Sequence, residues 1–126
     1  WSGLVQKSRF RLIIFFNDNF VREYPVGIGQ YDKTPAGAFV IDTKMENPTW
    51  YAPDGVYPFG HPKNILGTRW LGFKQTPEYV GYGIHGCDDP NTIGRALSNG
   101  CIRMRNPDVE EVYKMLRKGD TVRIVP

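Results

Sequence analysis

A histidine and a cysteine separated by a short loop hold the most reactive chemistry in this sequence. The stretch reads Tyr82-Gly83-Ile84-His85-Gly86-Cys87, and then Ile93-Gly94-Arg95-Ala96-Leu97-Ser98-Asn99-Gly100-Cys101-Ile102-Arg103-Met104. A cysteine attacks as its thiolate, and a neighbouring imidazole takes the thiol proton near neutral pH. Gly100 lets the backbone come close to a bound carbonyl and offers an amide that can face a developing oxyanion. Cys101, His85 and Gly100 are therefore a candidate set for acyl transfer.

Each of these residues has a blander reading. An isolated cysteine is most often a small buried apolar side chain, and an isolated strand histidine most often a satisfied core residue. His61 lies in Gly60-His61-Pro62, where a solvated loop side chain is the default and substrate contact the alternative. Cys87 falls on the same face as His85 if both lie on a strand, so a reversible Cys87–Cys101 disulfide is open. His61, His85, Cys87 and Cys101 also make four zinc-type ligands on paper. No Cys-x-x-Cys knuckle supports that set, and the expectation is no metal and no organic cofactor. Trp70 and Tyr82 can line a substrate groove, but aromatics in short strands read first as core.

These residues need a rigid β frame. Phe10–Phe16 reads as a buried strand, Asn17-Asp18-Asn19 as a tight turn accepting positive φ, and residues 20–26 as the returning strand. Ala38–Asp42, Arg69–Phe73, Val80–Ile84 and Thr121–Val125 read as further strands, and residues 43–68 as a long surface excursion. One helix is expected over 107–118. Asn106 is its cap, Pro107 its first residue, Val109, Val112, Tyr113 and Leu116 its apolar stripe, and Gly119 its C-terminal cap.

The 126 residues suit one domain, 1–126, with 40% hydrophobic residues and 17 aromatics, which excludes general disorder. Fourteen glycines and ten prolines favour a turn-rich β protein. The longest apolar run, Leu12–Phe16, is far below the ~20 residues of a membrane helix. The net charge of +3 is scattered, with no basic stripe for nucleic acid. Starting at Trp1 without a leader, the chain reads as a mature form or a domain excised from a longer secreted protein. A monomer is the default.

The stretch around Cys101 resembles the L,D-transpeptidase catalytic domain, the YkuD-type family. Its signature is a His-Gly pair followed, after a loop, by Ser-x-Gly-Cys-hydrophobic-Arg/Asn, matched here by His85-Gly86 and Ser98–Met104. Pro25-Val26-Gly27 with Thr34–Gly37, Leu66–Leu71 and Lys118–Val122 extend the resemblance over most of the chain. Many members carry histidine where Asn99 stands, and threonine or serine at position 87.

The resemblance implies a mostly β fold, a sandwich-like assembly of mixed sheets with the helix packed against it and the catalytic loop at one end. It implies attack by Cys101 on the L-to-D junction of a peptidoglycan stem tetrapeptide. D-Alanine leaves, and a thioester passes the acyl group to an amine to form a cross-link. Water as acceptor would make the enzyme an L,D-carboxypeptidase, and a lipoprotein or other amine is a further acceptor. His85 would be base and acid, oriented by the Gly86 carbonyl, with the Gly100 amide holding the oxyanion. Arg103, Ser98, Asn99, Tyr82 and Trp70 would bind substrate or brace the loop. The implied location is extracytoplasmic, in the periplasm or cell wall of a bacterium, and carbapenems would acylate Cys101. A non-catalytic wall-binding module is the remaining alternative.

Overall fold

The computed structural model describes residues 1–126. It builds twelve strands and one α-helix: β1 (Ser2–Gln6), β2 (Arg11–Phe16), β3 (Asn19–Pro25), β4 (Ile28–Gly29), β5 (Gly37–Glu46), β6 (Trp50–Ala52), β7 (Gly55–Tyr57), β8 (Arg69–Phe73), β9 (Gly83–Cys87), β10 (Ala96–Ser98), β11 (Ile102–Arg105), α1 (Asn106–Met115) and β12 (Thr121–Val125). Eight strands form one mixed sheet in the order β11-β9-β8-β5-β12-β1-β2-β3. The β11–β9 and β12–β1 pairs are parallel and the other pairs antiparallel.

The expected hairpin forms as β2–β3, with Asn17 and Asp18 both at positive φ (49° and 66°), the geometry a two-residue turn needs to match strand twist. From β3 the chain crosses directly to the opposite edge. Gly27 exchanges two backbone hydrogen bonds with Arg103 on β11, at 2.8 and 2.9 Å. The next residues, β4, pair with β10. This stretch thus closes part of the β11 edge, occupying backbone groups that would otherwise template foreign strands. Val26 and Ile28 from this stretch join a core of 18 buried apolar residues with Ile84, Ile102, Met104, Val109, Val112 and Leu116.

Helix α1 packs on β8, β9 and β11. Val109, Val112 and Leu116 are fully buried, as their spacing requires. Its ends differ from expectation. Asn106 does not cap the helix; its Oδ1 accepts the Thr68 N–H at 3.1 Å, so tertiary contact wins over the local cap. The helix stops at Met115 because Leu116 is already extended (ψ 132°). Gly119, at φ 93°, instead sits inside the Arg117–Asp120 turn, closed by Asp120 N–H to Arg117 O at 3.0 Å.

Other boundaries also move. Position 10 is left-handed (φ 53°), so β2 starts at Arg11. The strand expected at 80–84 lies at Gly83–Cys87, because Gly81 at φ 82° breaks the extended run before it. The 43–68 excursion begins only after β5 has continued to Glu46, and it contains the β6–β7 hairpin. β1, β10 and β11, none of them expected, supply sheet partners that no local periodicity announces.

Candidate active site

Two strands and a tight turn bring the reactive residues to one cavity of about 590 Å³. β9 is covered on both faces. Gly86 lies under α1, where an added Cβ would be 2.1 Å from Asn106 Oδ1 and 3.1 Å from Val109, so this close approach needs glycine. The alternate residue, His85, turns to the other face and lines the cavity while only 1% exposed.

The imidazole is fixed from two sides. Its Nδ1 lies 2.7 Å from the Gly86 carbonyl, and because a carbonyl only accepts, Nδ1 carries the hydrogen and Nε2 the lone pair. The Trp70 ring, on the neighbouring strand in register with His85, lies 6.2 Å from it at 28°. Burial pushes the His85 pKa down to about 4; the Gly86 carbonyl opposes that shift and the Arg103 charge adds to it. The side chain is a neutral base at pH 7.

Cys101 lies at the end of the 98–101 turn, immediately before β11. Its Sγ is 3.5 Å from the Gly81 carbonyl. Burial raises its pKa above the usual thiol value, while the Gly83 backbone and the Arg103 charge pull it back. Cys101 and His85 therefore share the cavity as a protonated thiol and a neutral imidazole, a pair whose types suit proton transfer during attack.

The turn is held by hydrogen bonds that correct one expectation. Ser98 Oγ donates to the Cys101 carbonyl at 2.7 Å and accepts the Gly100 N–H at 3.1 Å. The Gly100 amide is thus spent inside the loop and does not face the cavity as an oxyanion donor. Glycine is still required there: φ is 132°, and a Cβ would sit 2.3 Å from the Tyr82 ring. On its other side the Gly100 carbonyl accepts from Thr34 Oγ1 at 2.8 Å, and that hydroxyl in turn accepts the Gly29 N–H at 2.7 Å. Lys7, tied to Asp32 at 2.7 Å and to the Thr34 carbonyl at 2.8 Å, anchors that segment. Thr34 and Gly29 are positioning residues to which sequence reasoning gave no role, and Asn106 is one that it read as a helix cap. The only signal was Thr34 within its Thr-Pro segment.

Ser98, Asn99, Arg103, Tyr82 and Trp70 all line the cavity with Cys101 and His85. Trp70 and Tyr82 are half-buried at its wall; Tyr82 also packs against the core, as expected, whereas Trp70 does not, which corrects the core reading for Trp70. The 43–68 excursion adds Trp50, Tyr51, Ile65 and Leu66 to the lining. His61 lies elsewhere, exposed, stacked on Tyr57 at 4.8 Å and accepting the Lys63 N–H at 3.0 Å. Cys87 also points away from the cavity: its sulfur is 3.3 Å from Thr92 Oγ1 and accepts the Asp89 N–H at 3.3 Å. Both cysteines are free thiols, so the Cys87–Cys101 disulfide is not formed. The four-ligand zinc set does not assemble either, since its members face three different surroundings.

Comparison with known proteins adds the lineage. The family model described as the YkuD L,D-transpeptidase catalytic domain matches residues 3–124. YqjB of Bacillus subtilis strain 168, a protein named for L,D-transpeptidase activity, is 36% identical over 96% of this chain and 69% of its own length. YkuD of Bacillus licheniformis, named in the same way, is 36% identical over 91% of this chain and 59% of its own. The crystal structure of an L,D-transpeptidase from Mycobacterium tuberculosis H37Rv superposes with a TM-score of 0.78 at 17% identity, covering 99% of this chain and 57% of that one. That last likeness is one of fold. The chain spans about three-fifths of the length of the last two.

Proposed function

The chain belongs to the YkuD family of L,D-transpeptidase catalytic domains, and we propose that residues 1–126 act as a cysteine-dependent acyltransferase on peptidoglycan stem tetrapeptides. The observation that carries this reading is one cavity lined by a free thiol and by an imidazole whose only hydrogen is held by the Gly86 carbonyl. A base so oriented needs no carboxylate partner, and its lone pair is left for a thiol proton.

In this mechanism His85 Nε2 takes the Cys101 proton as sulfur attacks the carbonyl carbon at the L-to-D junction. The carbonyl electrons move to oxygen. The Gly100 amide is occupied by Ser98, so the donor we assign to that oxyanion is the N–H of Cys101 itself, which takes no part in closing the turn. Collapse breaks the C–N bond, and His85 returns the proton to the departing D-alanine amine. The remaining thioester is resolved when an amine attacks, loses a proton to His85 and expels the Cys101 sulfur, forming a cross-link. Water in place of the amine gives carboxypeptidase activity. The substrate puts the enzyme outside the cytoplasmic membrane, and a carbapenem would acylate the same sulfur.

The test is mass spectrometry of muropeptide tetrapeptides incubated with the reduced protein and with Cys101→Ala. Loss of D-alanine with cross-linked dimers, absent with the variant, is the expected result. Tripeptides without dimers assign the water reaction. No change with thiols free would sink the proposal.

A further inference from the structure

Arg103 is a cation without a partner. Arg9, Arg22, Arg69, Arg105 and Arg117 each reach a carboxylate at 3.0 to 3.9 Å, whereas Arg103 pairs with none. Its Nε is buried and has no acceptor. Arg69 shares that orphaned atom, but its other nitrogens reach the Thr68 carbonyl and Glu46. No aspartate or glutamate lines the Arg103 cavity, and with His85 neutral Arg103 is its only charged side chain. A half-buried guanidinium facing an acid-free cavity is under-satisfied, and a carboxylate is the anion whose two oxygens match its fork.

The register says which carboxylate. Arg103 is the cross-strand partner of His85 on the parallel β9–β11 pair, and it lies two positions beyond Cys101, on the same face. On the proposed mechanism, on which this inference rests, His85 gives its proton to the departing amine, so the leaving residue is seated beside it. In an amino acid the α-carboxylate is two bonds from that amine. We propose that Arg103 binds the free α-carboxylate of the departing residue, making the site specific for the C-terminal residue of its donor peptide. Interior L-to-D bonds and C-terminal amides then lose this contact.

Three synthetic stem tetrapeptides test this: one with a free C-terminus, one with a C-terminal carboxamide, and one with a free C-terminus whose third-residue side-chain carboxylate is amidated. Each is given to the wild-type protein, to Arg103→Gln and to Arg103→Lys, following acyl-enzyme mass and kcat/KM. Wild type is expected to lose about tenfold to a hundredfold on the C-terminal carboxamide, the scale of one charged hydrogen-bonded contact. Arg103→Gln should lose the same factor on the free acid, with no further loss on the carboxamide, and Arg103→Lys should recover part of it. Equal wild-type rates on acid and carboxamide would overturn the inference without needing any variant to fold. So would a wild-type loss that follows the side-chain amide instead, or an Arg103→Gln loss equal on all donors, which marks loop bracing. If wild type forms no acyl-enzyme with any donor, the acyltransferase reading fails and this inference falls with it.

Discussion

Lowering the pH from 7.5 to 4.5 should cost this fold stability at one identifiable residue. His85 is 1% exposed and its pKa is pushed down to about 4, against about 6.5 in an unfolded chain. Between those values the unfolded state binds a proton that the folded state refuses. Stability is therefore full above the unfolded value and is lost as pH falls toward the folded one. A shift of that size is worth about 3 kcal/mol in full, with a little under half of it gone by pH 5.5 and about three-quarters by pH 4.5. Urea unfolding of wild type and His85→Gln at these pH values isolates the contribution, because carboxylate effects common to both cancel in the difference. The variant is expected to be less pH-sensitive than wild type by those amounts. The same property gives activity an acid limb: kcat/KM should hold well below pH 6 and fall only as His85 is protonated near the depressed value. Parallel wild-type and variant stability curves, together with an acid limb at the ordinary histidine value, would refute a buried neutral base.

Thr34→Val keeps shape but strips the hydroxyl joining Gly29 N–H and the Gly100 carbonyl, both buried. It should cost about 2 to 4 kcal/mol in denaturant unfolding and lower kcat by loosening the Cys101 turn. Gly29→Ala places a Cβ 2.8 Å from Gly100 Cα and 2.9 Å from Thr34 N, against backbone that cannot rotate away. Slower alkylation of Cys101 or a lower Tm should follow, and a fully active, equally stable variant would contradict the packing. Gly86→Ala drives a Cβ into Asn106 Oδ1 and should uncouple the carbonyl that orients His85, read as a drop in kcat beyond any loss of Tm. Cys87→Ala should leave activity within about twofold, and thiol titration should count two free thiols in wild type and one in the variant.

Much of the frame is legible along the chain because it is written in local rules. Asn17-Asp18 accepts the positive φ of a hairpin turn, and the Val109-Val112-Leu116 spacing fixes the buried face of the one α-helix. The strands at 69–73 and 121–125 stand where their apolar residues put them. Local rules fail where a distant group competes for the same atom. Asn106 has the type and place of a helix cap, yet Thr68 takes its oxygen. Gly100 has the freedom of an oxyanion donor, yet Ser98 takes its amide. The strands β1, β10 and β11 are recognisable only through the remote partners that pair with them.

Residue type and order by themselves determined which side chains could react and which lineage they belong to: a thiol, an imidazole and the pattern joining them are properties of the chain. Whether those groups share a cavity was decided by the tertiary structure. Parallel pairing of β9 with β11 sets His85 opposite Arg103 and brings the Cys101 turn to the same mouth. The fold alone also leaves Cys87 facing away and strands the Arg103 charge without a partner, because burial and cross-strand register are non-local quantities. No stretch of sequence contains them until the sheet closes.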